Sequence, residues 1–253
     1  MTGVTGRLLL VPNALDLGAE PVPLQEVLPW GVLERAAALA HWLAEDVRST
    51  RAFLKRVHER VPLQRPLQSI SIRELPRPPK GASPAPRWDG RDLLAPALAG
   101  EDIGLISEAG LPAVADPGAT VVAAAHALGI AVLPLPGASA LLLALAASGL
   151  NGQSFAFVGY LPQDPGARLA RLKELQALSR RSGQTQLLIE TPYRNAALLD
   201  ALLQGLADDT RLAVSCGLTL ATAWNRSDRV TAWKQRPTRM PDRVPAVFAF
   251  LAS

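Results

Sequence analysis

The stretch IGLISEAGLPAVADPGATVVAAAHALGIAVLPLP, Ile103 to Pro136, decides the fold. Four apolar residues, Ile103 to Ile106, run into a segment punctuated by glycine and proline, Ser107 to Gly118. An alanine-rich helix follows from about Ala119 to Leu128, and a second apolar strand from Ile130 to Leu135. Short apolar runs bounded by turn residues suit strands covered on both faces, and strand, helix, strand in one direction makes a parallel pair. Open α/β sheets hold ligands at the carboxyl ends of their strands, so Ser107 to Gly118 is where function is expected first.

The make-up of that loop narrows its use. Gly110 and Gly118 let the backbone turn tightly and approach a ligand, while Pro112 and Pro117 stiffen it. Asp116 followed by Pro117 reads as an N-cap and first helical residue. Alone, the loop is equally a ligand site or a well-made turn, and two further polar tips shift the balance toward a site.

The chain has 253 residues, enough for one large domain or two ordinary ones, and its 49% hydrophobic and 19% charged content belongs to folded proteins. A net charge of +4 permits a nucleic-acid partner without requiring one. Cys216 is the lone cysteine, so no intramolecular disulfide forms and a reducing compartment is the simplest setting. His41, His58 and His126 are scattered and match no metal spacing; His126, within an apolar helix, reads as a core residue. The amino terminus lacks a signal peptide's pattern, and the apolar helix Ala138 to Ala147 is too short to span a bilayer. A cytoplasmic enzyme or binding protein is expected, with no membrane association.

Outward from the central unit, Arg7 to Val11 is a strand stopping at Pro12, and Leu24 to Leu28 a helical turn. A second strand, about Ala40 to Ala44, ends in Glu45-Asp46-Val47-Arg48. Two readings of that tip stand: it faces a ligand, or Asp46 caps a helix from Ser49 to Val57. Ile70 to Leu75 alternates as a strand, and the proline-rich Pro76 to Pro86 reads as an extended loop made basic by Arg73, Arg77, Lys80, Arg87 and Arg91 with Trp88. Arg91 to Ala99 reads as a helix.

Beyond Leu135, Pro136-Gly137-Ala138-Ser139-Ala140 turns into an apolar helix, with Ser139 at its start, where free N–H groups bind polar ligand groups. GASAL lacks the last glycine of a nucleophile elbow, so Ser139 is not read as a nucleophile. Phe155 to Val158 and Thr185 to Ile189 are strands, the second ending in Glu190-Thr191-Pro192-Tyr193-Arg194 before a helix from Asn195 to Gly205. Leu212 to Ser215 leads to Cys216-Gly217-Leu218-Thr219, and Arg229 to Lys234 and Ala246 to Leu251 read as two strands pairing antiparallel. Strands alternating with helices and then following one another give an α/β protein of two domains, 1–135 with a parallel sheet and 136–253 with a mixed sheet.

The fingerprints for dinucleotides, nucleoside triphosphates and zinc hydrolysis are missing. LLLVP at Leu8 to Pro12, AEDVRSTR at Ala44 to Arg51, ISEAGLPAVADPG at Ile106 to Gly118, PLPGASALLLALAASGL at Pro134 to Leu150, FVGYLP at Phe157 to Pro162 and IETPYR at Ile189 to Arg194 occur in order. Together they resemble the tetrapyrrole-methylase-type, class III, S-adenosylmethionine-dependent methyltransferases, and within them the branch that methylates a cytidine ribose 2′-hydroxyl of 16S ribosomal RNA.

The resemblance implies two α/β domains with the cofactor, S-adenosyl-L-methionine, in a cleft between them, in a homodimer, with ribosomal RNA of the small subunit as substrate. By position it implies cofactor contacts at Pro12, Ser107, Glu108, Ala109, Gly110, Pro112, Val114, Asp116, Ala138, Ser139, Ala140, Phe157, Tyr160, Leu161, Cys216, Gly217 and Leu218. Glu45 and Asp46 are the candidate catalytic carboxylates, with Arg48, Tyr193 and Arg194 toward the substrate; no metal is implied. The chain departs from the branch where it has Pro12-Asn13 and a displaced Gly18, Tyr193 in place of histidine, and no acidic residue in Cys216-Gly217-Leu218-Thr219. A small-molecule methyltransferase of the same fold, and a homologue that binds cofactor without catalysis, are the alternatives.

Overall fold

The computed structural model describes residues 5–16, 22–76 and 89–253. Gly18 and the proline-rich stretch with Arg77, Lys80, Arg87 and Trp88 lie outside them. The chain forms two compact units, residues 1–138 and 139–253.

The first unit is a five-stranded parallel sheet. Its strands are β1 (Arg7–Leu10), β2 (His41–Ala44), β3 (Ser71–Glu74), β4 (Ile103–Ile106) and β5 (Ala131–Pro134), in the order β3-β2-β4-β1-β5. Here the expectation of a β4 and β5 pair is corrected. They run the same way, but β1 lies between them and bonds to both. Leu8 and Leu9 are buried on opposite faces, so β1 is covered on both, as suits a strand inside the sheet. The helix α5 (Ala119–Ala127) carries the chain past it to the free edge.

Side chains alternate across the strands, which splits the core into two layers. Leu9, Trp42 and Ile106 pack with α1 (Leu24–Val27), α2 (Trp30–Ala38) and α3 (Val47–His58), while Leu8, Leu43 and Leu105 pack with α4 (Arg91–Leu98) and α5. Trp42 meets Phe53 edge-on at 6.1 Å between ring centroids. This arrangement requires glycine at 104, because a Cβ there would stand 2.8 Å from the Trp42 ring. His126 is exposed on α5, contrary to its reading as a core residue: the buried face is Val121, Ala124 and Ala125, and 126 falls outside that stripe.

The second unit is a mixed sheet, as expected. Its strands are β6 (Phe155–Gly159), β7 (Thr185–Ile189), β8 (Arg211–Cys216), β9 (Trp224–Arg229) and β10 (Ala246–Leu251), in the order β6-β7-β10-β8-β9. β6 and β7 are parallel, and the remaining pairs antiparallel. The helices are α6 (Ala140–Ser148), α7 (Pro165–Ser182), α8 (Asn195–Gly205) and α9 (Val230–Gln235).

The carboxyl-terminal reading is corrected here as well. Residues Val230–Gln235 are a helix, and β10 pairs with β7 and β8 rather than with that segment. Val230 and Trp233 are buried three residues apart, which is helical spacing, and Trp233 Nε1 donates to the Leu212 carbonyl at 2.8 Å. The strand is instead WNRSDR, whose polar residues suit an exposed sheet edge and so escape a search for apolar runs.

Candidate functional site

All five strands of the first unit point their carboxyl ends at one edge, and the loops there are fastened to one another. Val11 N–H donates to the Leu105 carbonyl at 2.8 Å, and Asn13 and Gly110 exchange backbone hydrogen bonds of 2.9 and 3.1 Å. The Asn13 side-chain amide donates to the carbonyls of Ser107 (3.2 Å) and Glu108 (3.0 Å). Gly137 lies so close to Pro12 that a Cβ would stand 2.3 Å from the proline's. Pro12, the 107–110 backbone and the turn before Ala138 are thereby brought together. Asn13 and Gly137 were missed by sequence reasoning. The Pro-Asn step after a strand was the available signal, since it marks a turn whose side chain bonds to nearby backbone.

Ser107 is 3% exposed and its Oγ has no hydrogen-bond partner. A buried hydroxyl left so is costly unless something else meets it. The following loop holds Gly110 at φ +69° and, unusually for side-chain-bearing residues, Ala113 at φ +65° and Ala115 at φ +64°. Each such alanine stores roughly 1–2 kcal/mol, a strain typical of functional loops.

Three carboxylates gather at this edge. Glu45 follows β2, its N–H donating to the Ile106 carbonyl at 3.1 Å, and its Oε2 accepts the Glu108 N–H at 3.1 Å. Asp116 is pushed up to about 7 by burial, then by the negative charges of Glu45 and Glu108. It does not cap α5, as its position before Pro117 suggested; Gly118 occupies that place without a side-chain bond. Of the two readings of the Glu45-Asp46 tip, capping holds for Asp46, which begins α3 and accepts from Ser49 N–H at 2.7 Å. That bond, more than any other influence, holds its carboxyl below the usual range. Arg48 is exposed on the first turn of α3. Farther along α3, Arg56 pairs with Asp16, which lies after β1 and is itself 4% exposed, at 2.8 Å and donates to the Val22 carbonyl. Among the described residues, no group of three or more His, Cys, Asp or Glu is placed to hold a metal ion.

In the second unit β6, β7 and β8 run the same way, so the tips at 159–161, 190–194 and 217–219 share one edge. A bulge between Phe157 and Gly159 turns the end of β6, leaving Phe157 and Tyr160 exposed and Leu161 buried. Ser139 precedes α6 with no side-chain cap bond. The Cys216 thiol is buried in the core and burial pushes it up to about 11. Gly217 N–H donates to the Pro245 carbonyl at 2.9 Å. Thr219, at φ +71°, has a buried Oγ1 without a partner and was missed as a site residue. Glu190 accepts from Thr191 N–H at 2.8 Å and lies 3.4 Å from Arg194, whereas Tyr193 is 71% exposed.

The sequence profile of the tetrapyrrole (corrin/porphyrin) methylases matches residues 32–223. The chain belongs to this family. Among relatives of this methylase, the ribosomal RNA small subunit methyltransferase I of Mesorhizobium japonicum is 42% identical over 130 residues, 51% of this chain and 43% of that protein. The protein of that name from Pseudomonas aeruginosa is 41% identical over 122 residues, 48% of this chain and 39% of its own length. The match thus spans about two-fifths of the length of these relatives. Two solved methylase structures share the fold. That of the methyltransferase CobJ has a TM-score of 0.56 at 15% identity, covering 98% of this chain and all of that one. The uroporphyrin-III-C-methyltransferase from Thermus thermophilus has a TM-score of 0.51 at 19% identity, covering 97% and 92%.

Proposed function

We propose that this chain is an S-adenosylmethionine-dependent methyltransferase that modifies a ribose 2′-hydroxyl in small-subunit ribosomal RNA, acting in the cytoplasm as a homodimer. The observation that carries the substrate is the 38 to 44% identity to bacterial proteins whose shared name is ribosomal RNA small subunit methyltransferase I.

The strand tips fit the cofactor. The unmatched hydroxyls of Ser107 and Thr219 need polar partners, and the backbone of the 107–110 turn is already held in shape. In the first unit we assign contacts to Pro12, Ser107 to Gly110, Pro112, Val114, Asp116 and Ala138. In the second we assign them to Ser139, Ala140, Phe157, Tyr160, Leu161 and the 216–218 backbone. Bound S-adenosylmethionine supplies a methyl group made electrophilic by its sulfonium.

Transfer to a hydroxyl also demands that the oxygen lose its proton. Glu45 is the base we assign, because Oε2 is turned to the Glu108 amide and the second oxygen is left for the acceptor. Asp46 is spent on capping α3, and Asp116, half-protonated near neutrality, stands beside Glu45 as a proton partner. Arg48, Tyr193 and Arg194 are the substrate contacts, Arg194 already leaning on Glu190.

Transfer of tritiated methyl from S-adenosylmethionine to small ribosomal subunits lacking this modification tests the reading. Label in the ribose of one cytidine supports it. Label in a tetrapyrrole and none in RNA removes the RNA substrate, and no cofactor binding by calorimetry removes the enzyme.

A further inference from the structure

An RNA must be held by more than its reacting ribose, and the charges of the first unit show where. Arg7 is paired with Asp102, Arg56 with Asp16, Arg73 with Asp92 and Arg91 with Asp89. The described cations of this unit left without an ion pair or hydrogen bond from their side chains are Arg35, Arg48, Arg51, Lys55, Arg60 and Arg65. All but Arg35 lie on α3 or in the segment directly after it.

The inner face of α3 is Thr50, Phe53, Leu54 and Val57, which leaves Arg48, Arg51 and Lys55 as one outward stripe at i, i+3 and i+7. From Arg48 to His58 it runs about 15 Å. It begins three residues after Glu45. Its far end opens on a cavity of about 680 Å³, where Lys55, His58 and Arg65 surround apolar side chains of Leu63, Pro66 and Leu67. His58 Nδ1 accepts the Leu63 N–H at 3.2 Å, so in the neutral ring Nε2 carries the proton. Glu59 adds a carboxylate to the rim.

We propose that this face of α3, continuing through Arg60 to Arg65, is the track on which the phosphodiester backbone of the RNA substrate lies. This rests on the methyltransferase reading above and adds the docking surface to it. Exposed cations whose side chains make no ion pair or hydrogen bond are suited to phosphates, and release of condensed counterions drives such binding. An anionic lipid surface is disfavoured because the outward face offers Ala52 but no large apolar side chain to insert.

The test is the salt dependence of binding of a labelled small-subunit ribosomal RNA fragment to the full chain. The triple variant Arg51→Gln/Lys55→Gln/Arg65→Gln is expected to lose about two units of slope in log K against log salt, at about 0.7–0.9 per contact. Its affinity for S-adenosylmethionine and its thermal midpoint stay those of the wild type. Lys173→Gln/Arg181→Gln/Arg229→Gln removes equal formal charge from exposed positions of the second unit and is expected to keep the slope. An unchanged slope in the first variant, or an equal loss in the second, overturns the track while methyl transfer by the wild type upholds the enzyme. Wild-type protein that binds cofactor but prefers phosphatidylserine vesicles to RNA overturns both the track and the RNA substrate.

Discussion

Asp116 keeps its proton to about pH 7 in the folded protein, against a reference value of 3.8, because burial and two neighbouring carboxylates oppose its charge. The folded state therefore binds more protons than the unfolded chain between these values. The associated stability is full below the lower value and is lost as pH rises through the upper one. Asp116→Asn cannot ionise, so its thermal midpoint should overtake the wild type's as pH rises from about 5 to about 8. After discounting for solvent screening the gain is about 2 kcal/mol. A midpoint difference that is flat with pH would show that the cluster does not hold that proton. Glu45→Gln retains an acceptor for the Glu108 amide and loses only basicity, so methyl transfer should fall by about 10²- to 10⁴-fold. Cofactor affinity, measured by calorimetry, should hardly change. Much of this was legible beforehand, since Glu45 directly follows a readable strand and Asp116 lies in the loop between a readable strand and helix. Their mutual charge was not, because it arises between loops some seventy residues apart.

At the scale of elements, α3 has three attachments of different kinds. Asp46 starts it, its apolar stripe packs on the sheet, and Arg56 reaches to Asp16 in the loop after β1. Arg56→Met leaves a carboxylate that is 4% exposed without this ion pair. A loss of about 3 kcal/mol in denaturant unfolding is expected. The double variant with Asp16→Asn should recover part of it; strictly additive losses would mean that the pair is not coupled. The amphipathic pattern of α3 and its cap could be seen in the sequence. The Asp16 to Arg56 pair could not, because forty residues separate the partners and each charge in isolation resembles a solvated surface residue.

For the whole molecule, the alternation of strands and helices and the mixed second sheet were readable because buried strands are apolar runs and glycine and proline mark their ends. Neighbour relations were not. A run such as LLLV states that it is covered on both faces without naming what lies beside it, which is why β4 and β5 were expected to pair. WNRSDR was passed over for the opposite reason, as a polar edge strand has no apolar signature. The placement of β1 has a consequence for synthesis. β1 gains its two flanking ladders only from Ile103–Ile106 and Ala131–Pro134, after a wait of more than ninety residues. Closure over such separations is slow. Nascent chains halted at Ala99 should show no hydrogen-exchange protection at Leu8 to Leu10, and those extended past Leu135 should show it. In the interval a sticky hydrophobic ribbon with both edges bare is presented to solvent, and shielding it falls to whatever chaperone attends the exit tunnel.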